Sequence, residues 1–189
     1  MEEFLNNIFN VTVLVQWLIE FIIVYKVLRQ TGKKEDKNSL NVVYALALAG
    51  IVLANIALKY PFMKLPGSRS AQLMIAICLV MAGVLMRFWS FKALGKFFSR
   101  IVMVQKNQKV VKNGPYKFIR HPSYLAGIII FLGYGVFLGS WISLTLVVLF
   151  LLIGYLYRMG VEEKFLSRTL GKEYINYMDK TKRLIPFIY

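Results

Sequence analysis

The sequence predicts an all-α, polytopic membrane protein with about five transmembrane helices in a single domain, residues 1–189. Of the 189 residues, 58% are hydrophobic and 17% are charged, and the mean hydropathy is +0.57. Soluble domains have about 25% charged residues and about 45–50% apolar residues. The composition therefore excludes both a soluble globular domain and a disordered chain.

The apolar runs set the number of spans. Crossing ~30 Å of hydrocarbon takes about 20 apolar residues, and three such runs predict spans within residues 1–91, at about 8–28, 40–59 and 71–91. Two shorter runs, at about 122–138 and 141–157, are separated only by Gly139 and Ser140 and predict a tight helical hairpin. Glu20 is the one acid at membrane depth, and either a buried structural role or a functional one would explain it.

The charges predict the orientation. The chain has 24 Lys and Arg against 9 Asp and Glu, a formal charge of +15. Twenty of the 24 basic residues lie in segments 29–39, 87–123 and 158–189, and only three lie in 59–70. The positive-inside rule therefore predicts that the three basic segments and the C-terminus are cytoplasmic and that the N-terminus is outside. Anionic lipid headgroups explain the excess charge better than nucleic acid does. With one His and one Cys, no metal site is expected.

The cytoplasmic part is predicted to comprise an interfacial stretch, about 92–121, and a tail, about 158–189. The tail reads as a helix that continues out of the membrane, a break at Gly171, a second short helix, and an apolar end that docks on the core.

The acidic residues form the first candidate site. No acid occurs between Asp36 and Glu162, and then Glu162 and Glu163 are adjacent. Arg158 lies one turn earlier, on the same helical face as Glu162, whereas Glu163 faces another direction and is expected to matter less directly. Two interpretations stay open: a salt bridge between Arg158 and Glu162 at a helix end, or an acidic pair that binds a cationic ligand.

The predicted start of the fourth apolar helix forms the second candidate site. Pro122 suits the first position of a helix, because it has no N–H group to satisfy. Arg120 and His121 flank this helix N-terminus, whose N–H groups and dipole would favour a carboxylate or phosphate. Anchoring of these side chains at the level of the lipid headgroups is the alternative.

These two segments together resemble the C-terminal half of the isoprenylcysteine carboxyl methyltransferase family, over roughly residues 95–189. The resemblance is carried by Gly114-x-Tyr116-x-x-x-Arg120-His121-Pro122-Ser123-Tyr124, by Arg158-x-x-x-Glu162-Glu163-x-x-Leu166, and by Gly171-x-Glu173-Tyr174-x-x-Tyr177 followed by Leu184-Ile185-Pro186. Phospholipid N-methyltransferases share a looser version of this pattern. Membrane sterol reductases, which use NADPH, share the His-Pro-x-Tyr run.

The resemblance implies a membrane methyltransferase that uses S-adenosyl-L-methionine, with the cofactor pocket in residues 92–189 and roofed by the tail. A lipophilic acceptor would enter from the bilayer, and the resemblance favours an isoprenylcysteine-like molecule whose carboxylate is methylated. Arg158 matches the residue of the family that faces the acceptor. Matching the family by position, the cofactor would contact Gln105, Gln108, Lys109, Val110, Val111, Tyr116, His121, Pro122, Ser123, Tyr124 and Glu162.

The chemistry of these side chains suits methyl transfer. Glu162 would pair with the cationic amino-acid end of the cofactor, and the helix start at 121–124 would supply N–H donors. A carboxylate acceptor needs only a cation such as Arg158 to hold it. A phospholipid amine or an alkyl phenol would first need deprotonation, for which His121 is the candidate base. An NADPH-dependent membrane reductase and a lipid-binding protein without catalytic activity are the alternatives.

Overall fold

A computed structural model of the chain describes residues 1–14, 33–36, 38–60, 63–97, 102–104 and 109–186. Its first helix, α1, is described over residues 2–14. The remaining elements are strand β1 (Lys33–Asp36), helices α2 (Ser39–Ala57) and α3 (Arg69–Leu94), strand β2 (Val102–Val104), and helices α4 (Pro122–Leu138), α5 (Trp141–Leu170) and α6 (Lys172–Lys180), with 3₁₀ turns at Gly95–Phe97 and Gly114–Lys117.

The helices confirm the predicted all-α, membrane-integral class. Within the described ranges, α2, α3 and α5 are long and apolar enough to cross a membrane, and α4 is a shorter apolar helix. The first predicted span, 8–28, starts inside α1, whereas residues 15–28, including Glu20, lie outside the described residues. Gly139, with a φ of 72°, and Ser140 join α4 to α5.

Two short strands in the described part of the chain form a ribbon that departs from the helical pattern. Strand β1 pairs antiparallel with β2, with Lys33 opposite Val104 and Lys34 opposite Met103. The ribbon is not predictable from the sequence, because strands this short, from segments far apart along the chain, leave no periodic pattern. The ribbon joins segments 29–39 and 92–121, which the charge distribution predicts to lie on the same side of the membrane.

Glycines allow the long helices to approach each other closely. A Cβ atom on Gly83 of α3 would lie 2.5 Å from Ile130 Cγ1 of α4, and one on Gly50 of α2 would lie 2.9 Å from Phe150 Cβ of α5. Small residues at such crossings let backbones pack without the bulk of side chains, as is common between membrane helices. These contacts place α3 against α4 and α2 against α5, and α4 also contacts α5.

The segments that connect the helices lie at the two ends of the helix bundle. At one end, Trp141 N donates to Met63 O and Leu65 N donates to Gly139 O, both at 3.0 Å, so residues 63–65 lie beside the turn between α4 and α5. At the other end, Ile119 pairs with Lys182 in a parallel bridge. The two ends therefore carry the connections that the charges assign to opposite sides of the membrane.

The tail follows the predicted order. Helix α5 continues to Leu170, Gly171 ends it with a φ of 59°, and α6 follows. Beyond α6, Leu184 is buried in one hydrophobic cluster with Met159 and Leu151 of α5. Residues 187–189 lie outside the described residues.

Candidate functional site

The candidate site lies where three parts of the chain meet: residues 114–124 around the start of α4, residues 158–163 of α5, and the tail. The backbone joins the first and third parts directly. Arg120 N donates to Lys182 O at 2.8 Å, and His121 N donates to Arg183 O at 3.0 Å. Tyr177 of α6 donates its hydroxyl to Tyr116 O at 2.7 Å. The tail therefore covers the start of α4.

Glu163 is the centre of a buried ionic cluster. Its Oε1 accepts a hydrogen bond from Arg120 Nε at 2.9 Å and lies 3.1 Å from His121 Nε2. Its Oε2 accepts from Arg183 Nη2 at 2.7 Å and from Nε at 3.0 Å. Arg120 also donates to the carbonyl oxygens of Met178, at 2.9 Å, and of Thr181. The cluster thus fastens α5, the start of α4 and the tail to one another.

The charge on Glu163 is fixed by this cluster. Burial raises the pKa of its carboxyl, but the hydrogen bonds from His121, Arg183 and Arg120 outweigh burial and lower the pKa from 4.5 to about 2. Glu163 is therefore ionised at neutral pH. His121 is itself buried, and its Nε2 faces this carboxylate rather than an open surface.

A chain of hydrogen bonds links Arg158 to Glu162 through a tyrosine. Arg158 Nε donates to the Tyr124 hydroxyl at 2.9 Å, and that hydroxyl donates to Glu162 Oε2 at 2.8 Å. Arg158 Nη1 donates to Ser39 Oγ, at the start of α2, at 2.7 Å. Arg158 is only 4% exposed and Ser39 is fully buried. We call Ser39, Arg158, Tyr124 and Glu162 the relay.

The surroundings of Glu162 suit a cationic ligand. Burial raises the pKa of Tyr116 and of Tyr174, and the negative charge of Glu162 raises both further, so both rings stay neutral beside the carboxylate. Glu162 is half-buried, and among the described residues only Tyr124 hydrogen-bonds its side chain. A carboxylate with an available oxygen beside aromatic rings is a chemically suitable site for an ammonium or sulfonium group.

The structure brings most of the predicted site residues together and leaves others aside. Tyr116 lies on the 3₁₀ turn before α4, His121 immediately precedes α4, and Pro122, Ser123 and Tyr124 begin it. Among them, His121 contacts Glu163 and Tyr124 contacts both Arg158 and Glu162 on α5. In the coil before this turn, Val110 and Val111 are partly buried and Lys109 is exposed. Gln105 and Gln108 lie outside the described residues.

Two residues of the site escaped the sequence-based prediction: Ser39, which contacts Arg158, and Arg183, which contacts Glu163. Glu163, which the helical spacing predicts to matter less directly than Glu162, has the largest set of ionic partners among the described residues of the site. Within the described ranges, no group of three or more His, Cys, Asp or Glu side chains is arranged to hold a metal ion.

Comparisons with known proteins agree with the resemblance. A family model described as phospholipid methyltransferase matches residues 71–173. The chain is 36% identical over 112 residues to the protein-S-isoprenylcysteine O-methyltransferase of Saccharomyces cerevisiae, covering 58% of this chain and 47% of that protein. It is 26% identical over 149 residues to protein-S-isoprenylcysteine O-methyltransferase B of Arabidopsis thaliana, covering 77% of this chain and 74% of that protein.

A solved structure shares the fold. The eukaryotic intramembrane Ras methyltransferase ICMT superimposes with a TM-score of 0.56 at 23% identity, covering 77% of this chain and 52% of that one. The chain spans about half the length of this structure and of the yeast relative. These findings confirm the resemblance to isoprenylcysteine carboxyl methyltransferases that the motifs in residues 95–189 indicated.

Proposed function

The chain belongs to the phospholipid methyltransferase family, and we propose that it transfers a methyl group from S-adenosylmethionine to a lipophilic acceptor in the membrane. The observation that carries this proposal is the relay, in which a buried arginine and a half-buried glutamate lie on either side of one tyrosine hydroxyl. Such a site offers a cation for the acceptor and an anion for the donor within one small region. The named relatives favour this function over an NADPH-dependent reductase.

Glu162 is proposed to hold the cationic end of the donor. S-adenosylmethionine supplies an electrophilic methyl group on a sulfonium centre, and it also carries an ammonium and a carboxylate. The carboxylate of Glu162, with Tyr116 and Tyr174 nearby, would bind the ammonium. The start of α4, whose first residue Pro122 has no N–H group, would present the N–H of Ser123 to the carboxylate. Gln105, Gln108, Lys109, Val110 and Val111 complete the proposed donor contacts.

Arg158 is proposed to hold the acceptor, and a carboxylate is the acceptor that the geometry favours. A carboxylate is already a nucleophile and needs only a positioned cation, because methyl transfer is an in-line displacement that depends on orientation. A phospholipid amine or an alkyl phenol would need a base. The candidate base, His121, has its Nε2 directed at Glu163, which leaves that nitrogen poorly placed to receive a proton from an acceptor. The proposed acceptor is therefore the carboxylate of an isoprenylcysteine-like molecule.

The orientation is proposed to be N-terminus outside, with the site and the C-terminus in the cytoplasm. Five spans are proposed, with α4 and α5 forming the hairpin of the last two. The ribbon and the bridge from Ile119 to Lys182 gather the basic segments at one end of the bundle. Lysines exposed at this end, such as Lys117, Lys172 and Lys182, would contact anionic lipid headgroups.

One assay tests reaction, acceptor and orientation together. The protein is placed in sealed membrane vesicles of both orientations and given S-adenosylmethionine labelled in its methyl group, with an S-farnesylated cysteine derivative. Because the charged donor does not cross the membrane, label should reach the acceptor only in vesicles whose cytoplasmic face is outward. The product should release labelled methanol in base, as a methyl ester does. Base-stable label would indicate an amine or phenol acceptor, and transfer only in right-side-out vesicles would contradict the orientation.

A further inference from the structure

One oxygen of the Glu162 carboxylate has no hydrogen-bond partner among the residues that the structure describes. Glu162 Oε2 accepts from the Tyr124 hydroxyl at 2.8 Å, whereas Oε1 accepts from no described residue. The side chain is half-buried, and an ionised carboxylate can accept several hydrogen bonds. Glu162 therefore keeps capacity for a positively charged ligand.

Two buried tyrosine hydroxyls near Glu162 also lack a partner. Tyr116 is 7% exposed and Tyr174 is 4% exposed. Neither hydroxyl forms a hydrogen bond with any described residue, and neither oxygen is fully enclosed by protein. Burial, and after it the negative charge of Glu162, raises the pKa of both hydroxyls, so both lie within electrostatic reach of that carboxylate. Buried polar groups are nearly always hydrogen-bonded, and two such hydroxyls close to one carboxylate indicate a ligand that binds among them.

Tyr174 reaches this place because the tail is docked. Gly171 ends α5 and precedes α6, whose buried side chains are Tyr174 and Tyr177. The rings of Tyr174 and Tyr177 are in contact, with 5.9 Å between their centroids, and the Tyr177 hydroxyl donates to Tyr116 O at 2.7 Å. The contacts that hold α6 against the turn before α4 therefore also place Tyr174 beside that turn.

An ammonium group is the ligand whose chemistry matches these three side chains. It has three N–H donors, and one carboxylate oxygen and two hydroxyl oxygens are present to accept them. The tyrosine rings add electron-rich faces that attract a cation. A second carboxylate would be repelled by Glu162, and a magnesium or calcium ion would need about six oxygen ligands.

We infer that Tyr174 is a donor-binding residue, and that together with Glu162 and Tyr116 it surrounds the ammonium of S-adenosylmethionine. This inference rests on the proposed function, which places that ammonium at Glu162. Matching the family by position does not include Tyr174 among the cofactor contacts. Because one of the three acceptors comes from α6, the ammonium is fully bound only while the tail is docked, and the tail thus completes the donor site.

The substitution Tyr174→Phe tests the inference, because it removes the hydroxyl and keeps the ring. In calorimetric titrations of the whole chain in detergent, the dissociation constant for S-adenosylhomocysteine should rise about 10- to 150-fold, the range for losing a hydrogen bond to a charged group. The matched probe is the analogue of S-adenosylhomocysteine that lacks only the amino group. It brings no ammonium to the site, so its dissociation constant should be the same in both proteins. An unchanged affinity for S-adenosylhomocysteine would overturn the inference, and so would equal weakening of both ligands.

A matched variant, Tyr177→Phe, distinguishes ligand binding from a structural role in the tail. Tyr177 is buried on the same helix, and its hydroxyl bonds to Tyr116 O. Its loss should lower the melting temperature of the ligand-free protein by about 1–6 °C and should weaken both ligands alike. Tyr174→Phe removes a hydroxyl that has no partner in the described part of the chain, so the melting temperature without ligand should not fall. A fall as large as that of Tyr177→Phe would show a structural role and overturn the inference.

The titrations also separate a failure of this inference from a failure of the proposed function. If the unaltered protein and Tyr174→Phe bound S-adenosylhomocysteine equally well, the inference alone would be wrong. If the unaltered protein bound no S-adenosylhomocysteine, the proposed function would be wrong, and the role of Tyr174 would be overturned with it.

Discussion

Replacing Arg158 with leucine should lower kcat/KM for the acceptor by roughly 30-fold to several thousand-fold, with little change in the affinity for S-adenosylhomocysteine. Arg158 is buried where the apolar part of α5 ends, and Ser39 and Tyr124 hold its guanidinium in one orientation. Removing a charged group that contacts its partner in a desolvated interface costs about 2–5 kcal/mol, which corresponds to that range of rates. Steady-state kinetics with the acceptor and calorimetry with S-adenosylhomocysteine measure the two effects separately.

Two further variants test whether the loss of kcat/KM comes from the guanidinium of Arg158. Arg158→Lys should recover only part of the activity, because an ammonium cannot reproduce the planar fork of a guanidinium. Lys164→Leu removes a positive charge from an exposed position on the same helix and should leave the kinetics unchanged. Arg158→Leu could instead raise the dissociation constant for S-adenosylhomocysteine and the KM for the acceptor to the same extent. That result would show that Arg158 supports Glu162 and does not bind the acceptor.

Replacing Glu163 with glutamine should destabilise the protein by about 3–5 kcal/mol, the usual cost of removing one partner from a buried ion pair. For a chain of this size, that loss corresponds to a melting temperature lower by about 6–20 °C. The physical reason is that Arg120 and Arg183 would then lack the carboxylate that neutralises them. Thermal unfolding in detergent, followed by circular dichroism, measures the change. Glu173→Gln is the control, since Glu173 pairs within the described part of the chain with one exposed lysine, Lys112, at 3.6 Å, and such pairs contribute about 0–1 kcal/mol.

The pH dependence of stability gives a second readout of Glu163. Its pKa is lower in the folded protein than in the unfolded chain, so its contribution is complete above pH 4.5 and is lost as the pH falls from 4.5 to about 2. A shift of this size corresponds to about 3 kcal/mol. The unaltered protein should lose that much stability on acidification through this range, whereas Glu163→Gln should lack this part of the loss. Equal acid sensitivity of the two proteins would show that the cluster does not hold Glu163 ionised.

The apolar lengths and the turn residues were enough to predict α2 to α5 and the order of the tail, because these are local properties. Gly139 and Gly171, for example, each end a helix with a positive φ, and both stood out beside apolar or helical patterns. The ribbon could not be predicted, since β1 and β2 gain their stability from each other and have no local signature.

In the site, too, spacing along one helix could be predicted from the sequence, whereas contacts between different helices could not. The spacing of Arg158 and Glu162 indicated that they share a helical face, but not that a hydroxyl from α4 would lie between them. The weight given to Glu162 over Glu163 came from that spacing and from the positions that match the family. The partners of Glu163 come from the start of α4 and from the tail, and Ser39 reaches Arg158 from the start of α2. Such contacts exist only once the helices have packed.

Calorimetric titration of the detergent-solubilised protein with S-adenosylhomocysteine and, in parallel, with NADPH tests the central claim most directly. The account predicts that S-adenosylhomocysteine binds and that NADPH does not. It also predicts that Glu162→Gln weakens the binding of S-adenosylhomocysteine about 10- to 150-fold, because a charged hydrogen bond to the ligand's ammonium is lost. Binding of NADPH without S-adenosylhomocysteine would contradict the proposed methyl transfer, and an unchanged affinity in Glu162→Gln would contradict the placement of the donor at Glu162.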